Sequence, residues 1–389
     1  MAYYFIFPEA DTTLYSHPDR STMNAGGDEL LEIVKEPGST DQLHHPSRIL
    51  IKFKNEEIKN VISLMGDTNF SSSLSSSVNL QLSLADAKNI TETHIINAYA
   101  VSQSWNEGTN KYLNIPTGSN GASWEFRDNS TAAAQWISSS CTDCFGDGGG
   151  TGSISTSSLT QGGGTWYTGS NFYGTQQFLK GDSLDTDIDV KEIIHKFSAS
   201  INAGKTYPEG IQNFGFLLKT LDSIESNTAS SFGELQYFSS DTHTIYPPKL
   251  TFAWDDSTHT YQNIAKQSGE LNVSLYGNQK EYNQNDITKF RIHVRDKYPD
   301  RSFSTTSNYL NVGYLTTGSF YSIRDAHTER EIIPFNDNFT KLSADSDGMY
   351  FNLYMNGLQP ERYYRILLKH INLDSTTIYD DKYYFKVVR

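Results

Sequence analysis

The sequence is poor in cysteine, proline and positive charge, and it has no long apolar run. Two cysteines in 389 residues exclude a disulfide framework as the source of stability. Nothing approaches the ~20 consecutive apolar residues that a membrane-crossing helix needs. The opening stretch, MAYYFIFPEADTT, has no basic segment and its apolar run breaks at Pro8. That is not a signal-peptide pattern, so the expectation is a soluble protein made in a cytoplasm, with no membrane partner. Lys and Arg number 31 against 45 Asp and Glu, a formal net charge of −14. A surface of that sign repels phosphate, which argues against nucleic acid as a partner.

Catalytic signatures are missing as well. There is no GxSxG-like elbow, no HExxH and no GxxxxGK[ST] phosphate loop. Cys141 and Cys144 have the spacing of half a zinc site, but no second pair completes the ligands, so loop cysteines without a metal are expected. Asp185, Asp187 and Asp189 alternate in GDSLDTDID in the manner of a calcium loop. An EF-hand counted from Asp185 would need Gly and Glu where Val190 and Lys196 stand. The better reading is a helix N-terminus, where carboxylates favour the macrodipole. No cofactor is expected; calcium in this loop is the one the pattern leaves open.

What the chain has in abundance is aromatic: 24 Tyr, 21 Phe and 5 Trp, a composition that fits pleated, half-buried surfaces. RILIKF, NLQLSL, HIINAYAVS, FGFLLK, KLTFAW, ELNVSLY, FRIHVRD, YFNLYM, YYRILLK and KYYFKVV mostly alternate apolar and polar and are bounded by turn residues. Alternation points to antiparallel sheets with one wet face, hence an all-β protein built of β-sandwiches. A single short helix is expected over 189–201, with Asp189 as N-cap, Glu192 completing a capping box, and Ile193, Ile194, Phe197 and Ile201 as its apolar stripe. The Gly/Ser-rich run 138–171 reads as a long surface loop. The polar segment before ELNVSLY sets the domain boundary: 1–256, a linker 257–269, and 270–389.

In SQSWNEGT, Trp105 and Glu107 either belong to a sugar-binding or glycosidase cleft or form a sandwich corner. Trp105 continues the bulkier strand face of Tyr99, Val101 and Gln103, which favours core, and Glu107 begins a loop where a carboxylate accepts backbone N–H groups. A structural corner is the better reading. The enzymatic alternative needs Glu107 to converge with Glu125 or Asp128.

Five stretches in order, ADTTLYSHPDRSTMNAGG, SRILIKF, VSQSWNEGT, DVKEIIHKF with NFGFLLK, and FSSDTHTIYPPKLTFAW, resemble a DNRLRE-type domain. That resemblance implies a jelly-roll-like β-sandwich over residues 10–256, related to carbohydrate-binding modules. Phe197 stands where a Trp is usual, and the glycine-rich run looks like an insertion. The C-terminal stretch, including GMYFNLYMNGLQPERYYRILLKH and YDDKYYFKVVR, is similar to the terminal domain of virion structural proteins of tailed, marine myovirus-like phages. It implies an immunoglobulin-like sandwich in which Gly357 to Pro360 turn the chain into YYRILLK and the last strand is stitched into a sheet.

Together these imply a non-enzymatic structural component of a virion (tail, baseplate or neck) that is made in the host cytoplasm. Its expected partners are other virion proteins and further copies of itself. The alternative is a host-surface glycan-binding adhesin. In either case Trp166, Tyr167, Phe172 and Tyr173, from TWYTGSNFYG, are the candidate interface or glycan contacts, the bland reading being that they cover the end of their own sandwich.

Overall fold

The computed structural model describes residues 2–38, 43–66, 70, 76–112, 120–130, 133–136, 162–167, 169–229, 231–259, 271–298, 303, 305, 313–372 and 375–389. The chain is predominantly β and divides into two compact units. One comprises Ile6–Ser63 and Val78–Thr251; the other comprises Met1–Phe5, Leu64–Ser77 and Phe252–Arg389. The division does not follow the expected boundary at 256. Tyr3, Phe5 and Ala253 are buried in the core of the second unit, because apolar side chains follow the core that covers them.

In the first unit, eight strands form an antiparallel sheet. Its order is Tyr173–Phe178, His94–Ala100, Phe216–Thr220, His44–Lys52, Leu30–Pro37, Glu234–Phe238 and Leu84–Lys88, with Ala10–Tyr15 also pairing His44–Lys52. Thr186–Asp189 pairs antiparallel with Ser76–Leu82, placing Thr186 opposite Leu82. Along Ser76–Leu82, Val78, Leu80 and Leu82 are buried while Asn79 and Gln81 face outward, the period-two pattern of a strand with one wet face. His44–Lys52 differs, being buried from Pro46 to Ile51 on both faces.

Three α-helices occur among the described residues where one was expected. Helix α1 (Asn55–Met65) was passed over by a reading that follows alternation. Its buried Ile58, Val61, Ile62 and Met65 recur at three and four residues, a helical interval. Helix α2 (Lys191–Ala203) begins later than expected. Asp189 ends a strand opposite Asn79, so its backbone is committed to the sheet; its Oδ1 instead accepts the N–H of Lys191 at 3.0 Å, and Val190 is the N-cap. Ile193, Ile194 and Phe197 are buried as expected, and the Phe197 ring meets Phe216 edge-on at 5.7 Å. The helix ends on Gly204 in the left-handed conformation, φ 61°. Helix α3 (Asp222–Glu225) is a single turn.

The second unit is a sandwich of a four-stranded and a six-stranded sheet. The first runs Leu271–Tyr276, Ile287–Asp296, Gly348–Tyr354, Ser343–Asp345. The second runs Glu281–Asn283, Tyr384–Val388, Tyr363–Asn372, Ser319–Asp325, Glu331–Ile333, and Ser375–Tyr379 adds to Tyr363–Asn372. The pairings between its named strands are antiparallel except Glu281–Asn283 with Tyr384–Val388. Phe290, Ile292 and Val294 from one sheet and Tyr321, Ile366, Leu368 and Phe385 from the other fill the interior. The chain passes a 3-10 turn at Met355–Gly357 before entering Tyr363–Asn372, and the Tyr364 hydroxyl donates to the Gln359 carbonyl at 2.9 Å. A tyrosine bonding back to upstream backbone at the start of a strand is the tyrosine corner of immunoglobulin-like sandwiches. Of the expected linker, Thr258 and His259 join the sheet edge: Ala344 donates its N–H to the Thr258 carbonyl at 2.9 Å.

Candidate functional site

The stretch around Trp105 and Glu107 is a corner where several segments are tied together. Glu107 Oε1 accepts the backbone N–H of Asp11 at 2.8 Å, and Trp105 Nε1 donates to the Phe214 carbonyl at 2.8 Å. Buried Asn24 donates from Nδ2 to the carbonyls of Glu107 (2.5 Å) and Ala122 (2.8 Å), and its Oδ1 accepts from Gly26 and Asn110. Gly108 adopts φ 80° against Asn24, where a Cβ has no room. Asp11 closes the corner by accepting the N–H of Ser240 at 2.7 Å. Burial pushes the Asp11 carboxyl from 3.8 to about 7, the Ser240 bond opposing this and the charges of Glu107 and Asp241 adding to it. Burial likewise raises Glu107, against the bond from Asp11. ADTTLYSHPDRSTMNAGG, VSQSWNEGT and FSSDTHTIYPPKLTFAW thus meet at one point.

Behind the corner lies a buried ionic cluster. Arg48, 0% exposed, donates through Nε and Nη2 to both carboxylate oxygens of Glu225 (3.1 and 2.8 Å), and through Nη1 to the Gly163 carbonyl at 2.6 Å. Its guanidinium lies 4.6 Å from the Trp124 ring centroid and 4.9 Å from that of Trp166. Lys219 Nζ adds a second cation 2.6 Å from Glu225 Oε2 and also bonds Asp222. Burial alone would raise the Glu225 carboxyl; Arg48 and Lys219 outweigh it and hold the group below its ordinary value. Gly163, at φ 78°, allows the close approach, since a Cβ there would sit 2.5 Å from Arg48 Nη1 and 2.7 Å from the Trp124 ring.

A cleft of about 600 Å³ opens on the same unit. Helix α2 ends at one side, followed by a turn in which Gly210 donates to the Thr206 carbonyl at 2.9 Å. The cleft is lined by Ser102, Gln103 and Ser104, by Arg127, by Lys205, Tyr207 and Gln212, and by Tyr167 and Phe214. Tyr207 is half-buried and stacks on Tyr167 at 5.6 Å with an interplanar angle of 11°. Arg127 Nη1 is anchored on the carbonyl (3.1 Å) and hydroxyl (2.9 Å) of Ser104.

These placements correct several expectations. Trp166, Tyr167 and Phe172 are buried, so three of the four candidate contact aromatics are core, and only Tyr173, at 39% exposure, faces solvent. The reason is local: Gly162, Gly163 and Gly164 all adopt positive φ and let the chain fold inward beside Arg48 and Leu217. Of the described part of the glycine-rich run, 162–167 is therefore buried, while Ser170 and Asn171 are exposed as expected; residues 138–161, with Cys141 and Cys144, and residue 168 lie outside the described residues. Glu107, Glu125 and Asp128 have separate partners in Asp11, Ser21 and Ser130, and no hydrogen bond links them. Asp185, Asp187 and Asp189 diverge to the N–H of Leu84, the amides of Asn79 and Gln81, and the N–H of Lys191. Among the described residues no group of three or more His, Cys, Asp or Glu side chains is placed to hold a metal.

Sequence reasoning missed Arg48, Glu225 and Lys219, and the cleft residues Arg127 and Tyr207. The signal for the first was a charged residue sharing a strand face with Leu50; for the others there was none. No family model matches the sequence, and no curated protein matches it either.

Proposed function

We propose that this chain is a structural component of a bacteriophage virion, in the tail, baseplate or neck. It assembles with other virion proteins and with copies of itself through its β-sandwich domains, and it carries out no reaction. The observation that carries the reading is the outer face of the six-stranded sheet. Tyr363 and Ile371 on one strand, Tyr384 on a second and Ile378 on a third all point outward, Tyr363 and Ile378 each at 57% exposure. Arg365 and Lys386 share that face, paired with Asp380, Glu329 and Glu361. Tyrosine and arginine surrounded by ion pairs are the composition of a protein interface. Ser375–Tyr379 is exposed along most of its length and, among the described strands, pairs only with Tyr363–Asn372, leaving an edge for a partner strand.

Particles purified from infected host cells should contain the chain at fixed stoichiometry by mass spectrometry, and Tyr363→Glu with Ile378→Glu should lower its incorporation. A full-length protein that stays monomeric at high concentration and is absent from particles overturns the reading. A second reading, a host-surface glycan-binding adhesin, is favoured by one observation, the polar cleft with Tyr207 at its wall.

A further inference from the structure

The cleft is chemically unlike the rest of the surface. On a chain of net charge −14, its lining residues include two cations, Arg127 and Lys205, and no Asp or Glu. Lys205 has an exposed ion pair with Glu209 at 3.1 Å, outside the lining, whereas Arg127 forms no ion pair among the described residues. Its guanidinium is nevertheless fixed in place by the two bonds to Ser104. Ser102 also lines the cleft; it is 7% exposed, and its Oγ has no hydrogen-bond partner among the described residues. A buried hydroxyl left so is costly, and a polar group reaching it offsets that cost.

The remaining walls combine amides and hydroxyls, Gln103, Gln212, Ser200 and Thr206, with the ring of Tyr207. That ring is held from behind: it stacks on Tyr167 and, at 5.6 Å, on Phe172. The Trp105 bond to the Phe214 carbonyl fixes a further wall residue from the corner side. A rigid aromatic face, convergent neutral donors and acceptors, and a positioned guanidinium suit a ligand with an apolar ring face, several hydroxyls and one carboxylate.

We propose that this cleft binds a short saccharide carrying a carboxylate, with its ring on Tyr207, its hydroxyls on Ser102, Gln103 and Gln212, and its carboxylate on Arg127. The proposal rests on the glycan-binding reading and adds to it both the place and the charge of the sugar. It leaves assembly through the other unit unaffected.

The test uses the full chain on a glycan array carrying matched sugars, neutral and carboxylated at one carbon, followed by titration of the best pair. The carboxylated sugar should bind at least about tenfold more tightly than its neutral counterpart, and Arg127→Gln should erase that preference. Tyr207→Ala should weaken both sugars. Near-UV circular dichroism and the thermal midpoint report whether each variant is folded; should Tyr207→Ala fail to fold, protection of peptides spanning 200–214 from hydrogen exchange by the bound sugar locates the site instead. Equal binding of neutral and charged sugars overturns the proposal and leaves the glycan reading standing. Binding that survives in Arg127→Gln, with no protection at 200–214, places the site elsewhere and overturns the proposal. No binding to any sugar on the array overturns both.

Discussion

The two units share an architecture of stacked antiparallel sheets but fill it differently. In the second unit the interior is a continuous aromatic pile: Tyr321 stacks on Phe351 at 4.2 Å, Phe351 on Phe290 at 5.2 Å, and Phe290 meets Phe385 at 5.5 Å. Most of its ion pairs, such as Arg291–Asp345 and Arg365–Asp380, lie nearer the surface, and the one buried carboxylate among its described residues, Asp325, is paired with a partly exposed Arg362. The first unit places charge inside, with Arg48, Lys219 and Glu225 among Trp124 and Trp166. An aromatic pile tolerates many arrangements of similar volume. A buried carboxylate shared by two cations tolerates few, because any shift leaves a charge without its partner. In the first unit the ionic cluster therefore fixes which way the glycine-rich segment enters the core.

The sharpest way to break the contrast is Glu225→Gln, which strands Arg48 and leaves Lys219 with Asp222 alone. A loss of about 3–5 kcal/mol is expected, read by urea unfolding followed through tryptophan fluorescence. Replacing Arg48, Lys219 and Glu225 together by Met, Met and Leu should recover most of that loss if the cluster sets specificity rather than stability. The matching change in the second unit is Phe351→Ala, which removes a ring touching two others and should cost about 3–5 kcal/mol. Hydrogen exchange should then rise in peptides from 287–296 and 363–372 while those from 44–52 are unchanged.

The two units should also part company with pH. Below about 3.8 Asp11 is protonated whether folded or not; between there and about 7 the unfolded chain releases the proton and the folded one keeps it. Folding of the first unit is thus disfavoured as pH rises through this window, by about 4 kcal/mol, and the loss levels off above it. Asp11→Asn should flatten that slope. In the second unit the signs reverse. Arg291 beside Asp345 and Arg365 beside Asp380 hold those carboxyls below their ordinary value, and at Asp325 burial is outweighed by the N–H groups of Thr328 and His327 and by Arg362. Their contribution is complete above the ordinary carboxylate pKa and is lost as pH falls through the depressed values; Glu225 acts in that same acid window in the first unit. The smallest expected effect is Asp345→Asn, about 0.2–1 kcal/mol, since this pair is partly exposed. Thermal unfolding at pH 3, 5 and 7.5 separates the two trends.

Much of this was legible from alternation alone. Every strand-forming run read from the sequence overlaps a strand, and in those with one wet face, such as Ser76–Leu82, the pleat imposes period two. What alternation cannot see is a strand covered on both faces: in RILIKF, Arg48 looks like an outward polar position and is instead fully buried. The aromatic loop misled for a related reason. Glycine-rich sequence signals low burial by composition, yet at Gly162 to Gly164 the missing side chains are what lets the chain lie against Trp124, Arg48 and Leu217. The corner was legible in part, since Glu107 was read as an acceptor of backbone N–H groups; its partner Asp11, 96 residues away, was not, because sequence carries no record of which segments meet.

The Asp11 carboxyl also makes folding a proton-consuming event. Near pH 6 a molecule that folds withdraws close to one hydrogen ion from the buffer at this position. Calorimetric folding enthalpies measured in phosphate and in imidazole should consequently disagree, by about the difference between the ionisation heats of the two buffers.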